Sequence, residues 1–113
     1  DVTLRLDEAY DLDTQRKTTV ASPSTELSRA SYRNMLVNPR GYEFFPLTND
    51  LTEATCRSVI EALDGRDSGF TWDELASGLT FCVPTSESRI AGITVTKRAP
   101  TWEGPLTLKV TLW

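Results

Sequence analysis

The chain has 113 residues, the usual size of one domain, and 39% of them are hydrophobic while 25% are charged. This composition indicates a globular domain, and the net charge of −4 with scattered basic residues argues against nucleic-acid and anionic-membrane partners. No apolar run is long enough to span a bilayer. Because the chain starts at Asp1, without Met or a visible signal peptide, we expect a mature chain or one module of a longer protein.

The first predicted elements are strands joined by turns. Val2, Leu4 and Leu6 alternate with polar residues, as in a half-buried strand. Residues 9–13 extend this pattern, and residues 17–20 return beside them after a polar turn. Two further strand-like runs, 31–37 and 42–47, flank Asn38-Pro39-Arg40-Gly41, whose turn chemistry predicts a hairpin.

The sequence predicts one helix, at about residues 51–63. Asp50 can cap its start, and Glu53, three residues on, completes a capping box. Apolar side chains recur at helical spacing and place Cys56 on the buried face. Gly65 stands where a C-terminal cap is expected.

Three alternating strands complete the domain. They carry Leu79, Phe81, Val83, then Ala91, Ile93, Val95, then Leu106, Leu108, Val110 and Leu112. Trp113 is out of phase with the last strand, so we expect it to be exposed or packed on a neighbouring domain. The predicted fold is mainly β, an antiparallel β-sandwich or partly open barrel with one helix, formed by residues 1–113 as a single domain.

Two cysteines, Cys56 and Cys82, allow one disulfide. The alternative is a pair of buried free thiols that act as small hydrophobic side chains. Their spacing does not form a Cys-x-x-Cys motif, so a redox or zinc site is not indicated.

The chain contains no histidine, which excludes Ser-His and Cys-His catalysis and histidine metal sites. No glycine-rich nucleotide loop is present, and no cofactor or catalytic residue is predicted. The acidic residues Asp7, Glu8, Asp11 and Asp13 are the remaining chemical candidates. Asp11 and Asp13 could offer oxygen ligands to Ca²⁺, although the loop lacks the later residues of an EF-hand, and paired carboxylates could also serve a small glycosidase-like hydrolase.

Aromatic side chains suggest a second kind of site. A flat platform for stacking on sugar rings could be formed by Trp72, Trp102 and Trp113, with Phe70 and Tyr42. Trp72 and Trp102 lie in predicted loops, where binding residues concentrate. The alternative is that these rings cap the core, with one face buried. Arg89 flanks a predicted hairpin tip and would serve binding if that tip is the recognition edge.

Residues 78–91, Gly-Leu-Thr-Phe-Cys-Val-Pro-Thr-Ser-Glu-Ser-Arg-Ile-Ala, resemble the signature hairpin of a poorly characterised module of actinobacterial proteins. That module also has an Asp-Leu-Asp-Thr turn, as at residues 11–14, and a final alternating strand ending in Trp, as at residues 107–113. Its hairpin has Gly where Ser88 stands, at a turn position that favours positive φ. Pro84 stands where that module has a polar residue. Because proline has no backbone N–H to donate, it suggests an edge position in the sheet.

This resemblance implies a non-catalytic domain outside the cytoplasm, with a Cys56–Cys82 disulfide. We therefore expect an extracytoplasmic binding or sensor module that recognises a protein or cell-envelope ligand. The alternatives are a carbohydrate-binding module using the loop tryptophans, a small protease-inhibitor-like domain and a carboxylate-only hydrolase. The C-terminal strand offers a contact for a neighbouring domain or a second copy of the chain.

Overall fold

The computed structural model describes residues 1–19, 25–29, 36–41 and 43–113, which form two antiparallel five-stranded sheets and one helix. The strands of sheet A are β1 (Val2–Leu4), β6 (Phe45–Pro46), β8 (Thr80–Pro84), β9 (Ile90–Arg98) and β10 (Leu106–Leu112). Those of sheet B are β2 (Ala9–Asp11), β3 (Arg16–Thr18), β4 (Leu27–Arg29), β5 (Leu36–Val37) and β7 (Gly69–Phe70). The spatial order is β1-β10-β9-β8-β6 in sheet A and β3-β2-β4-β5-β7 in sheet B. The helix α1 covers Glu53–Ala62.

The predicted mainly β fold with one helix is confirmed, and over the residues that the structure describes the sheets do not close into a barrel. Strands β8, β9 and β10 form the centre of sheet A, and their apolar residues alternate as the sequence predicted. Strand β2 pairs with β3 in the predicted short hairpin. Strand β1, however, lies in sheet A beside β10, because Asp7, at φ 64°, helps to turn the chain between β1 and β2.

The predicted hairpin of residues 31–37 and 42–47 is wrong in its pairing. The turn exists, since the amide of Gly41 donates to the carbonyl of Asn38 over 3.0 Å. Strand β5 pairs in sheet B and β6 pairs in sheet A, so this turn carries the chain from one sheet to the other. Residues 31–35 and Tyr42 lie outside the described residues.

The helix is confirmed, but its caps differ from the predicted ones. Thr52 rather than Asp50 caps the start, and its side chain and that of Thr55 form the capping box. At the other end the cap is Leu63 rather than Gly65, and Leu63 takes the left-handed conformation at φ 53°. Gly65 also has a positive φ, 67°, but it lies two residues beyond the cap. The amides of Leu63 and Asp64 donate to the carbonyls of Ile60 and Val59, which is a Schellman motif.

Leu63→Gly should raise the free energy of unfolding by about 0.5–1 kcal/mol, because a Cβ is strained at this position. Leu63 is 56% exposed, so little packing is lost with the side chain. Urea denaturation measures the change, and Leu63→Ala is the matched control because it keeps the Cβ. Equal or lower stability of Leu63→Gly relative to Leu63→Ala would contradict this explanation.

The core has two parts, one on each face of sheet A. Between the sheets, Phe44, Phe70 and Phe81 pack with ring centroids 4.9–5.4 Å apart. On the outer face of sheet A, a second cluster packs under α1. Its members are Phe45, Leu47, Leu51, Cys56, Val59, Ile60, Cys82, Ile90 and Trp113.

The expectation that Trp113 is exposed or covered by another domain is therefore wrong. Trp113 packs within this chain, over Gly92 and beside α1. A Cβ at Gly92 would lie 2.7 Å from Cη2 of Trp113, so only glycine lets the indole approach the strand this closely. None of the described helical segments is long and apolar enough to cross a membrane.

Candidate functional site

A surface pocket of about 350 Å³ lies between α1 and the hairpin that joins β8 to β9. Helix α1 contributes Arg57, Ile60 and Glu61, and Arg40 comes from the turn between the sheets. The hairpin contributes the rest, which are Pro84, Thr85, Ser88, Arg89 and Ile90. The volume falls within the range of about 300–1,000 Å³ that is typical of ligand sites. We call it the helix–hairpin pocket.

The Cys56–Cys82 disulfide joins the two walls of this pocket. Cys56 lies in α1 beside Arg57, and Cys82 lies in β8, two residues before Pro84. Their Cα atoms are 5.5 Å apart, and both side chains are buried. A covalent bond between the walls limits their relative movement.

Three arginines line the helix–hairpin pocket, and Arg89 is the one that the sequence had suggested. Arg89 Nε donates to the carbonyl of Trp113 over 3.4 Å, and Arg40 Nη1 donates to the carbonyl of Pro84 over 3.1 Å. Arg57 instead makes an ion pair with Glu53 within α1, with Nη2 2.7 Å from Oε2. These contacts hold Arg40 and Arg89 near the pocket while most of their donors stay available.

The hairpin tip at Thr85–Ser88 has the strained conformation that the sequence predicted. Ser88 lies at φ 63°, in the left-handed region that favours glycine. The tip is closed by hydrogen bonds from Thr85 N to the Arg89 carbonyl, 2.8 Å, and from Arg89 N to Thr85 Oγ1, 3.1 Å. Arg89 is thus fixed to the same turn that forms one side of the pocket.

Two carboxylates next to strands of sheet B anchor this hairpin tip, Asp13 in the turn between β2 and β3 and Glu26 directly before β4. Asp13 accepts hydrogen bonds from Thr85 Oγ1, 2.7 Å, from Ser86 Oγ, 3.1 Å, and from the Glu87 amide, 3.2 Å. Glu26 is fully buried and accepts from the amides of Leu12, 2.9 Å, and Ser86, 2.8 Å. These hydrogen bonds stabilise the turn and offset part of the strain at Ser88.

The predicted calcium ligands Asp11 and Asp13 lie in this anchor, together with Glu26. Each of the three offers a carboxylate oxygen within 4.8 Å of the others. Both oxygens of Asp13 and both oxygens of Glu26 already accept hydrogen bonds, and Asp11 Oδ1 accepts from the Asp13 amide over 3.0 Å. The observed role of these acids is to hold the hairpin, and calcium binding stays a prediction.

Burial raises the pKa of the Glu26 carboxyl, and repulsion from Asp11 and Asp13 adds to the rise, against the two backbone hydrogen bonds. The folded state therefore holds this proton more tightly than the unfolded chain does. At pH values below the ordinary glutamate pKa, the shift contributes its full stabilisation to the fold. This contribution is lost as the pH rises through the raised pKa of Glu26.

Glu26→Gln should remove this pH-dependent contribution. We compare the free energy of unfolding of the wild type with that of Glu26→Gln. The difference, wild type minus variant, should be smaller at about pH 7.5 than at about pH 5. Urea denaturation at both pH values measures the difference, and Glu103→Gln, at an exposed position, should follow the wild type. A constant difference between wild type and Glu26→Gln would contradict the sign derived for Glu26.

Known proteins give no further guide to this site. No family model, no curated protein and no solved structure matches the chain. The resemblance to the actinobacterial module stays a prediction, and the site has to be interpreted from its own geometry.

Two of the predicted aromatic residues, Trp72 and Trp102, have contacts within the chain. Trp72 is half-buried, its Nε1 has no partner among the described residues, and the guanidinium carbons of Arg29 and Arg98 lie 4.9 and 5.6 Å from its ring centre. The carbonyl of Trp102 accepts a hydrogen bond from Arg29 Nη2 over 2.6 Å. Tyr42 lies outside the described residues. Sugar binding by these residues stays a prediction, and the contacts of Trp72 do not favour it.

Sequence reasoning missed Arg40, Arg57 and Glu26 as parts of the site and its anchor. One signal was present for Arg57, since it follows Cys56, and a Cys56–Cys82 bond brings it close to residues after Cys82. Arg40 was interpreted only as a turn residue, because the sequence did not show that its turn crosses between sheets. Glu26 lies in a polar stretch, and nothing local marked it as buried.

Proposed function

We propose that this chain is a non-catalytic binding module that acts outside the cytoplasm and captures its ligand in the helix–hairpin pocket. The single observation that carries the proposal is the pocket itself, whose walls are joined by a disulfide. A disulfide is typical of oxidising compartments, which supports an extracytoplasmic location. A rigid concave site with arginines beside apolar side chains has the chemistry of recognition.

The acidic residues that a hydrolase would need serve another purpose. Asp13 and Glu26 accept several hydrogen bonds from the hairpin and from Leu12. Glu8 lies 3.8 Å from the ammonium of Lys17 and accepts from the Arg5 amide. These contacts support a binding function over a carboxylate-only hydrolase.

Filling the pocket tests the proposal. Glu61→Trp places a bulky ring on the α1 wall, and Ser58→Trp places the same ring on an exposed helix position outside the pocket lining. Binders would be selected against the wild type from a display library of random peptides and from a panel of soluble envelope polysaccharides. We expect Glu61→Trp to weaken the selected binders about tenfold or more, and Ser58→Trp to leave them within about twofold.

Binders that are insensitive to Glu61→Trp would place recognition elsewhere on the domain. Circular dichroism and thermal unfolding of both variants would show that each keeps the wild-type fold.

A further inference from the structure

We propose that the helix–hairpin pocket binds an acidic peptide segment in which a carboxylate lies next to an apolar side chain. This inference rests on the proposed function, because it assigns a ligand class to the same pocket. It depends on three observations, which are two arginines without an acidic side-chain partner, the local charge and the apolar wall.

The first observation is that, among the described residues, no Asp or Glu side chain pairs with Arg40 or Arg89. The ion pairs there are Lys17 with Glu8 and Arg57 with Glu53. The carbonyl of Pro84 accepts one donor of Arg40, and the main-chain oxygen of Trp113 accepts one donor of Arg89. An arginine has five N–H donors in a planar fork that fits a carboxylate. Two guanidinium groups at one pocket therefore keep donors with which they could bind the carboxylate of a ligand.

The second observation is the reversal of charge at the pocket. The whole chain has 16 acidic and 12 basic residues, a net charge of −4. Among the described residues, the pocket lining has three arginines and one acid, Glu61. Arg57 is paired with Glu53, so Arg40 and Arg89 supply the positive charge of the pocket. A positive pocket attracts an anionic group, and the negative surface elsewhere on the domain repels it.

The third observation, the apolar part of the lining, favours a peptide ligand over an anionic polymer. Ile60, Pro84 and Ile90 also line the pocket, beside the arginines. A phosphate polymer has no apolar surface to place against these side chains, whereas a peptide can place a leucine or valine there. Burial of such a side chain contributes about 1.5–3 kcal/mol when it is complete. The lining therefore favours a peptide over a polyphosphate.

The experiment uses three probes on the oxidised full chain. They are a peptide of about twelve residues with repeated Glu-Leu-Ser triplets, its Gln-Leu-Ser counterpart and inorganic polyphosphate. Binding would be measured by isothermal titration calorimetry at low salt for the wild type, Arg40→Gln, Arg89→Gln and the double variant. Arg66→Gln, at an exposed position outside the pocket lining, is the matched control.

We expect the Glu-Leu-Ser peptide to bind, each pocket substitution to weaken it about three- to tenfold, and the control to bind as the wild type does. Added salt should weaken the binding further. If the Gln-Leu-Ser peptide binds equally well and Glu61→Trp blocks its binding, the ligand is not recognised through its carboxylates and the inference is overturned. The proposal that the pocket binds a ligand would still be supported. Binding of polyphosphate without the acidic peptide, or of neither peptide, would also overturn the inference.

Discussion

The Cys56→Ala/Cys82→Ala double variant should lose about 3–4 kcal/mol of unfolding free energy, because the disulfide closes a long loop and restricts the unfolded chain. The two cysteines are 26 positions apart, and both side chains are fully buried beneath α1. In a domain of this size the loss corresponds to a fall of about 15–25 °C in melting temperature. Differential scanning calorimetry measures it.

Reduction supplies the internal control for this result. A strong reductant should lower the melting temperature of the wild type by a similar amount and leave the double variant unchanged. A double variant as stable as the oxidised wild type would show that the bond contributes nothing, and the pocket walls would then be held by packing alone.

Arg29→Ala should destabilise the domain by about 3–5 kcal/mol, since the change removes a buried side chain and leaves backbone acceptors without donors. Arg29 is fully buried in β4, and burial lowers the pKa of its guanidinium. Its Nη1 donates to the carbonyls of Leu4, 2.9 Å, and Gly104, 3.1 Å, and its Nη2 donates to that of Trp102. This side chain thereby ties sheet B to the first strand of sheet A and to the loop before β10.

Arg29→Met separates the packing contribution from the hydrogen-bonding contribution. Methionine fills much of the same space but cannot donate to the three carbonyls. We expect Arg29→Met to recover less than half of the stability that Arg29→Ala loses, measured by urea denaturation. Full recovery by methionine would mean that the carbonyls do not need the guanidinium.

Much of the fold was predictable because its elements carry local signals. The alternation in Leu106–Leu112 and the helical spacing around Cys56 depend only on neighbouring residues, and both elements are confirmed. The left-handed Ser88 was predicted from the glycine at that position in the resembling module. The turn around Pro39 was also predicted, since turn chemistry is local, but the partners of its two flanking strands were not.

The site was harder to predict because it is assembled from distant parts of the chain. Arg40, Arg57 and Arg89 meet only after a turn has crossed between sheets and the disulfide has joined α1 to β8. Arg29 and Glu26 are buried although their residue types are usually exposed, and each makes hydrogen bonds to partners far away in sequence. Contacts of this kind depend on tertiary structure, which residue patterns do not contain.

The central claim is that the helix–hairpin pocket is the recognition site, and a titration of the ¹⁵N-labelled domain with the Glu-Leu-Ser peptide tests it most directly. Two-dimensional ¹H–¹⁵N spectra locate the contact residue by residue. We expect the largest shift changes at the amides of residues 57–61 and 85–90 and at Arg40, and small changes at Trp72 and Trp102. Changes centred on the two tryptophans, or no change at the pocket amides at saturating peptide, would contradict the claim.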